Sequence, residues 1–197
     1  MKKVITILLI FIIIMAAIIQ QASAEDYDPN TDYMALMEAA AVIGDVEAGQ
    51  AAEAARNAKI SEMGITTSEI AWNDLYLLSK IIYAEAGSKW LSDEWKMSVG
   101  EVVLNRVAHP SFPDTVQEVI YQPGQYYGAG NRWFENLRPD ARCVGLAKRL
   151  LEGERILCDP SVVYQANFKQ GSGIHTAMHD KYLGWTYFCR LEVKQDG

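Results

Sequence analysis

Apolar residues recur at helical spacing through Leu77, Leu78, Ile81 and Ile82, between a polar entry and a glycine exit. Thr66-Thr-Ser-Glu69 has the spacing of a capping box, which places a helix start near Ser68. That helix is expected to run to about Ala86, with Gly87 as its C-terminal stop. A second helix is expected from a Ser92 cap, turning Trp95, Val99, Val102, Val103 and Val107 inward. The two prolines of His109-Pro-Ser-Phe-Pro113 end it, because neither fits inside a helix. Residues 115–121 read as a short third helix, 122–131 as a loop of turn formers, and 139–152 as a fourth helix ended by Gly153.

The period then changes. Ser161-Val-Val-Tyr-Gln-Ala-Asn167 and Thr186-Tyr-Phe-Cys-Arg-Leu-Glu-Val193 alternate and are rich in β-branched and aromatic residues, so both are expected as strands. A loop rich in Gly, Ser and His is expected between them. Helices first and a small antiparallel sheet after them define an α+β domain over residues 67–197. Upstream, residues 25–66 are rich in Ala and Glu, with Gly44 and Gly49 interrupting a helix through Met34, Leu36, Met37, Val42 and Ile43. They are expected as a helical spacer.

The chain start adds a compartment. Met1-Lys-Lys3 is a basic lead, Val4 to Ile19 is apolar throughout except for Thr6, and Ala22-Ser-Ala24 has a cleavable small-x-small pattern. Residues 1–24 are therefore expected as a signal peptide, or else as an N-terminal anchor that associates with the membrane. Either expectation puts the working part outside the cytoplasm. The three cysteines, Cys143, Cys158 and Cys189, leave one thiol over after any single disulfide, and Cys158–Cys189 is the expected pair. The net charge of −7 excludes the basic footprint of a nucleic-acid binder.

Chemistry concentrates on one carboxylate. Glu85 lies four residues after Ile81 and seven after Leu78, so it projects from the line of the apolar stripe. Burial and a helix C-terminus both disfavour its charge, as a general acid requires. The plain alternative is a solvated glutamate just beyond the stripe. Glu94, Glu101 and Asp114 are the candidates for a second carboxylate, with capping or a solvated surface as their ordinary use. His175 and His179 have the H-x3-H spacing that would put both on one helix face at a metal. No third ligand with a general base accompanies them, so no metal and no cofactor are expected. Gln125 and Tyr126 sit in a glycine-flanked loop and form a plausible sugar clamp, the ring on a pyranose face and the amide on polar substituents. Arg106 is expected to cap its own helix or pair with the first one. Tyr164, Asn167 and Trp185 are further candidates for a binding groove, each equally usable in a core.

Tyr83-Ala-Glu-Ala-Gly87, Val102-Val-Leu-Asn-Arg-Val107, Phe112-Pro-Asp-Thr-Val116, Val119-Ile-Tyr-Gln122, Gly124-Gln-Tyr126 and Gly184-Trp-Thr-Tyr-Phe188 follow one another in order. Together they resemble the spore cortex-lytic enzyme type of cell-wall hydrolase. The resemblance spans about residues 70–192 and implies a lysozyme-like helical domain followed by a small antiparallel sheet. It implies an enzyme that cuts peptidoglycan glycan strands between N-acetylmuramic acid and N-acetylglucosamine, as a lytic transglycosylase or muramidase, and a monomer is expected. The family's catalytic glutamate falls on Glu85, with Tyr83, Gln125, Tyr126, Asn167 and His175 as substrate-binding candidates. Tyr127 stands where the family more often has serine. Two other readings remain open here: a metal-dependent amidase or endopeptidase built on the histidines, and a wall-binding module without activity.

Overall fold

The structure is a computed structural model that describes residues 29–64, 70–126 and 128–191. The expected export segment, the capping box at residues 66–69 and Tyr127 lie outside the described residues. Helices α1 (Pro29–Ile43), α2 (Val46–Met63), α3 (Trp72–Ala86) and α4 (Asp93–Ala108) come first in chain order. Short α5 (Val116–Ile120) and α6 (Arg132–Asn136) lead to α7 (Ala141–Leu151), and β1 (Val162–Ala166), β2 (Gly173–Asp180) and β3 (Gly184–Arg190) close the order. Among the described residues no helix is long and apolar enough to cross a membrane.

Residues 29–63 do more than space. Met34, Met37 and Ala41 of α1 and Ala52 of α2 join the same core as Leu75, Leu78, Ile81 and Ile82 of α3. Gly44, in the left-handed region at φ 67°, ends the first helix and lets the second fold back. Gly49 sits inside α2, where a Cβ would overlap the Trp72 indole. Its glycine serves close packing, at a position where the sequence suggested only weakening. The buried residues Met97 and Val103 of α4 and Val144, Ala147 and Leu150 of α7 complete this helical core.

Helix α3 begins at Trp72 behind an Ala71 cap that makes no side-chain bond, so the expected Ser68 cap does not start it. Its far end is also unlike the expectation. Gly87 is right-handed at φ −67°, and no left-handed stop forms. The fully buried Lys96 of α4 instead donates from Nζ to the carbonyls of Ala86 and, at 3.1 Å, of Ser88. An ammonium thus satisfies the orphan carbonyls that a glycine turn would otherwise close. Helix α4 is capped as its sequence predicts, Ser92 Oγ accepting from Trp95 N at 3.2 Å.

The three strands are antiparallel in the order β1-β3-β2. The segment expected as a loop between two strands is therefore strand β2. A smaller apolar cluster of Ala86, Leu91, Trp95, Val99, Val102, Leu157, Val162 and Phe188 fastens the sheet to α4. The expected Cys158–Cys189 disulfide is absent: all three thiols are free, with Cys189 sealed in the sheet and Cys158 exposed in the turn before it.

Candidate functional site

Helix α4 offers three polar side chains, Glu101, Asn105 and Arg106, to the chain that enters β1. The Glu101 carboxylate accepts from the backbone N–H groups of Ile156, Leu157 and Cys158 at 2.6, 2.8 and 3.0 Å. Three successive donors converge on one acceptor only if the backbone curls, and Cys158 takes φ 54° to do so. Asn105 Nδ2 donates to the carbonyls of Asp159 and Val162 at 3.1 and 2.9 Å. Arg106 Nε donates to the Val163 carbonyl at 2.6 Å. A ladder on one helix thereby sets where β1 starts.

Gln165, two residues further on, is delivered to the end of α3. Its Nε2 donates to Glu85 Oε2 at 3.5 Å. Glu85 stands at the seam between the two apolar clusters: Tyr83 and Ala84 pack on the helical core, and Ala86 belongs to the sheet-side cluster. The carboxyl reaches solvent, yet protein surrounds it closely enough for desolvation to raise its pKa, against a smaller lowering by the Gln165 amide. The expected contribution of the helix C-terminus is met by the Lys96 ammonium on the last carbonyl. Burial is the cause that remains.

The second arm is the 122–126 loop. Arg106 Nη1 donates to Gln125 Oε1 at 2.6 Å. The guanidinium lies 5.3, 5.5 and 5.9 Å from the ring centroids of Phe112, Tyr126 and Tyr164. Arg106 neither caps its own helix nor pairs with α3, as the sequence suggested; it ties the loop to the strand. The Tyr126 hydroxyl is buried and unpartnered, and burial pushes its pKa up to about 12, with a smaller upward push from the Glu85 charge. The carbonyl oxygen of Gln165 is likewise buried without a partner.

The other candidates are distributed differently. Tyr83 is half-buried against the helical core, and Asn167 is exposed one residue beyond β1. His175 sits at the irregular step of β2, with Nδ1 2.8 Å from Thr176 Oγ1. On a strand, the four-residue step from His175 to His179 spans about 13 Å, so one ion cannot bridge the two. Among the described residues no group of three or more His, Cys, Asp or Glu could hold a metal. The His179 ring packs at a tilt of 51° against Trp185, centroids 4.8 Å apart, and these two are register partners. Gln165 pairs with Phe188, three residues beyond Trp185 on the same strand, so Trp185 and Gln165 occupy opposite sheet faces. Glu94 and Asp114 are exposed, and Glu101 is spent on the backbone. The sequence reading did not single out Gln165, although an amide within an otherwise apolar strand was the available signal.

The family model described as Cell Wall Hydrolase matches residues 92–190, half of the chain, and the chain belongs to that family. The matched segment contains Gln125, Tyr126 and Gln165 but begins after Glu85. The spore cortex-lytic enzyme of Oceanobacillus iheyensis is 35% identical over 65 residues, covering 32% of this chain and 23% of that protein. The crystal structure of the catalytic domain of the Bacillus cereus SleB protein is 25% identical, with 60% of this chain and 90% of that one covered at a TM-score of 0.44.

Proposed function

We propose that this cell wall hydrolase cleaves the glycan strands of peptidoglycan between N-acetylmuramic acid and N-acetylglucosamine as a lytic transglycosylase, with Glu85 as its acid and then its base. The observation that carries this reading is a solvent-reaching carboxyl of raised pKa that accepts from the Gln165 amide, while Glu101, the buried candidate, is engaged by backbone N–H groups. A protonated Glu85 gives its proton to the leaving glycosidic oxygen. The carboxylate then takes the proton of the sugar's own 6-hydroxyl as that oxygen attacks the anomeric carbon. The product carries a 1,6-anhydro end, and neither a second carboxylate nor a cofactor takes part.

The first 24 residues export or anchor the protein, so that the hydrolase meets the wall from outside the cytoplasm as a monomer. The likeness to the spore cortex-lytic enzyme of Oceanobacillus iheyensis favours spore cortex as the peptidoglycan it meets. Digestion of purified cortex and vegetative peptidoglycan, read by mass spectrometry, tests the reading. Anhydro-muramic ends that vanish in Glu85→Gln support it. Reducing ends point to hydrolysis, and new free amines from cut peptides would replace the reading altogether.

A further inference from the structure

Lys96 is a fully buried cation that the proposed cleavage leaves unused. Among the described residues it makes no ion pair. Its Nζ is spent on neutral acceptors, the carbonyls of Ala86 and Ser88. Burying a charge without a counter-charge is costly, and a methionine of similar length would fill the same space without that cost. Packing therefore does not explain an ammonium here, but its place in the chain does. Ala86 and Ser88 flank Gly87, and the residue before them is Glu85.

The turn after Glu85 is held by cations from two other helices. Lys96 of α4 takes two of its carbonyls. Arg142 of α7 donates from Nη1 to a third, that of Lys89, at 2.9 Å, while its Nε holds Asp93 at 2.7 Å. We propose that Lys96 is a positioning residue for Glu85: its ammonium clamps the turn that begins one residue later and offsets the partial negative charge of the helix end. The assignment rests on the glycan-cleaving reading above and adds a residue that acts on the acid through the backbone.

Unpaired carbonyls in a last helical turn disfavour an ionised carboxylate beside them. With the ammonium on those carbonyls, desolvation is left as the chief influence on Glu85. The Tyr126 phenol feels the Glu85 charge from the 122–126 loop, and the Arg106 guanidinium acts on the same phenol. On α7, burial pushes the Cys143 thiol up to about 12, with Asp140 adding to the rise and Lys96 opposing it. Phenol and thiol are both neutral where Glu85 titrates, and Arg106 and Arg142 are charged throughout. None of them mimics a change caused by Lys96.

The test is a titration of Glu85 in the full chain by NMR of isotope-labelled glutamate carboxyls, the Glu85 signal being identified by its loss in Glu85→Gln. Lys96→Met should raise the Glu85 pKa by about half a pH unit or more, the reach of a helix-end charge at close range. At its own pH optimum on peptidoglycan, its kcat should fall about tenfold or more with KM little changed. Lys96→Gln keeps a donor without the charge, so it should show the same pKa rise and regain part of kcat. A Glu85 pKa unmoved in both variants or an unchanged kcat in Lys96→Met would overturn the inference. Loss of the fold in both variants would overturn it too, by making Lys96 a structural residue. A wild-type digest separates it from the reading beneath. No released glycan ends alongside a shifted Glu85 would sink the cleavage and leave the coupling to Lys96 standing. Released ends with an unmoved Glu85 would do the reverse.

Discussion

Arg106 Nη1 reaches Gln125 Oε1 at 2.6 Å while Nε of the same guanidinium holds the Val163 carbonyl at 2.6 Å. One buried side chain thus fixes the spacing between the loop that carries Tyr126 and the strand that carries Gln165. A planar fork can serve two acceptors in different directions, and an ammonium cannot reproduce that geometry. Arg106→Lys is therefore expected to keep the charge and lose the register. Turnover on peptidoglycan should fall about tenfold or more, the scale on which small misplacements act in positioned sites. Steady-state kinetics on solubilised glycan strands, with the thermal midpoint alongside, check this. A fall in stability with unchanged kcat and KM would reduce Arg106 to a packing residue.

Glu85 makes a prediction about stability against pH. Its folded pKa lies above its ordinary value of 4.5, chiefly through desolvation. Below the ordinary value it is protonated in both the folded and unfolded chain and contributes nothing. As pH rises through the interval up to the raised folded pKa, the unfolded chain releases its proton first, so wild-type stability declines. Above the folded pKa the loss is constant. Glu85→Gln has no such titration. The variant should match the wild type at low pH and be the more stable protein at neutral pH. Thermal midpoints of both proteins from pH 3 upward measure the difference, and a wild type that gains on the variant with rising pH would contradict the sign. The same shift places the basic limb of the wild-type activity profile above the ordinary glutamate range.

The 29–63 helices give a third test, because a spacer and a core element respond differently. A Cβ on Gly49 would enter the Trp72 ring, and that ring is buried and stacked on Tyr76 at 4.8 Å. An indole wedged in this way has little room to move. Gly49→Ala should destabilise the protein by about 1–3 kcal/mol, the usual cost of overpacking. A chain beginning at residue 67 should lose still more, since it exposes the face of α3 that Met37 and Ala41 cover. An unchanged denaturation midpoint in both proteins would restore the spacer.

Much of this architecture was legible because it rests on local chemistry. Ser92, Thr115 and Asp140 each cap the helix that follows, accepting from the backbone N–H three residues on. The prolines at 110 and 113 end α4 as expected. Glu85 could be singled out because its position depends only on helical spacing within α3. What the sequence concealed depends on contacts across long stretches of chain. Gln165 meets Glu85 only after α4 has placed β1, and Lys96 replaces a glycine turn from the neighbouring helix. The histidine spacing suited a helix and a strand equally, and the β3 partner decided for the strand. Gly49 read as a weak point because its neighbour, Trp72, is remote in sequence.

Glu101 is where the positioning ladder can be broken without touching the candidate sugar-binding residues. It is 1% exposed, and its carboxylate is the hydrogen-bond partner of three successive backbone N–H groups. Glu101→Ala leaves those donors without their acceptor, at about 1–3 kcal/mol for each one that water cannot reach, the Leu157 N–H first among them. Even one such donor predicts a clear fall in the denaturation midpoint. Glu101→Gln keeps one acceptor oxygen of the two and turns the other end into a donor facing donors, so it should recover only part of the loss. Hydrogen exchange separates this from general loosening. The amides of Ile156, Leu157 and Cys158 should lose protection in both variants, while those in the middle of α3 should stay protected as long as the chain is folded. Uniform loss across α3 and the 156–158 turn would mean that Glu101 supports the whole core and not the entry to β1.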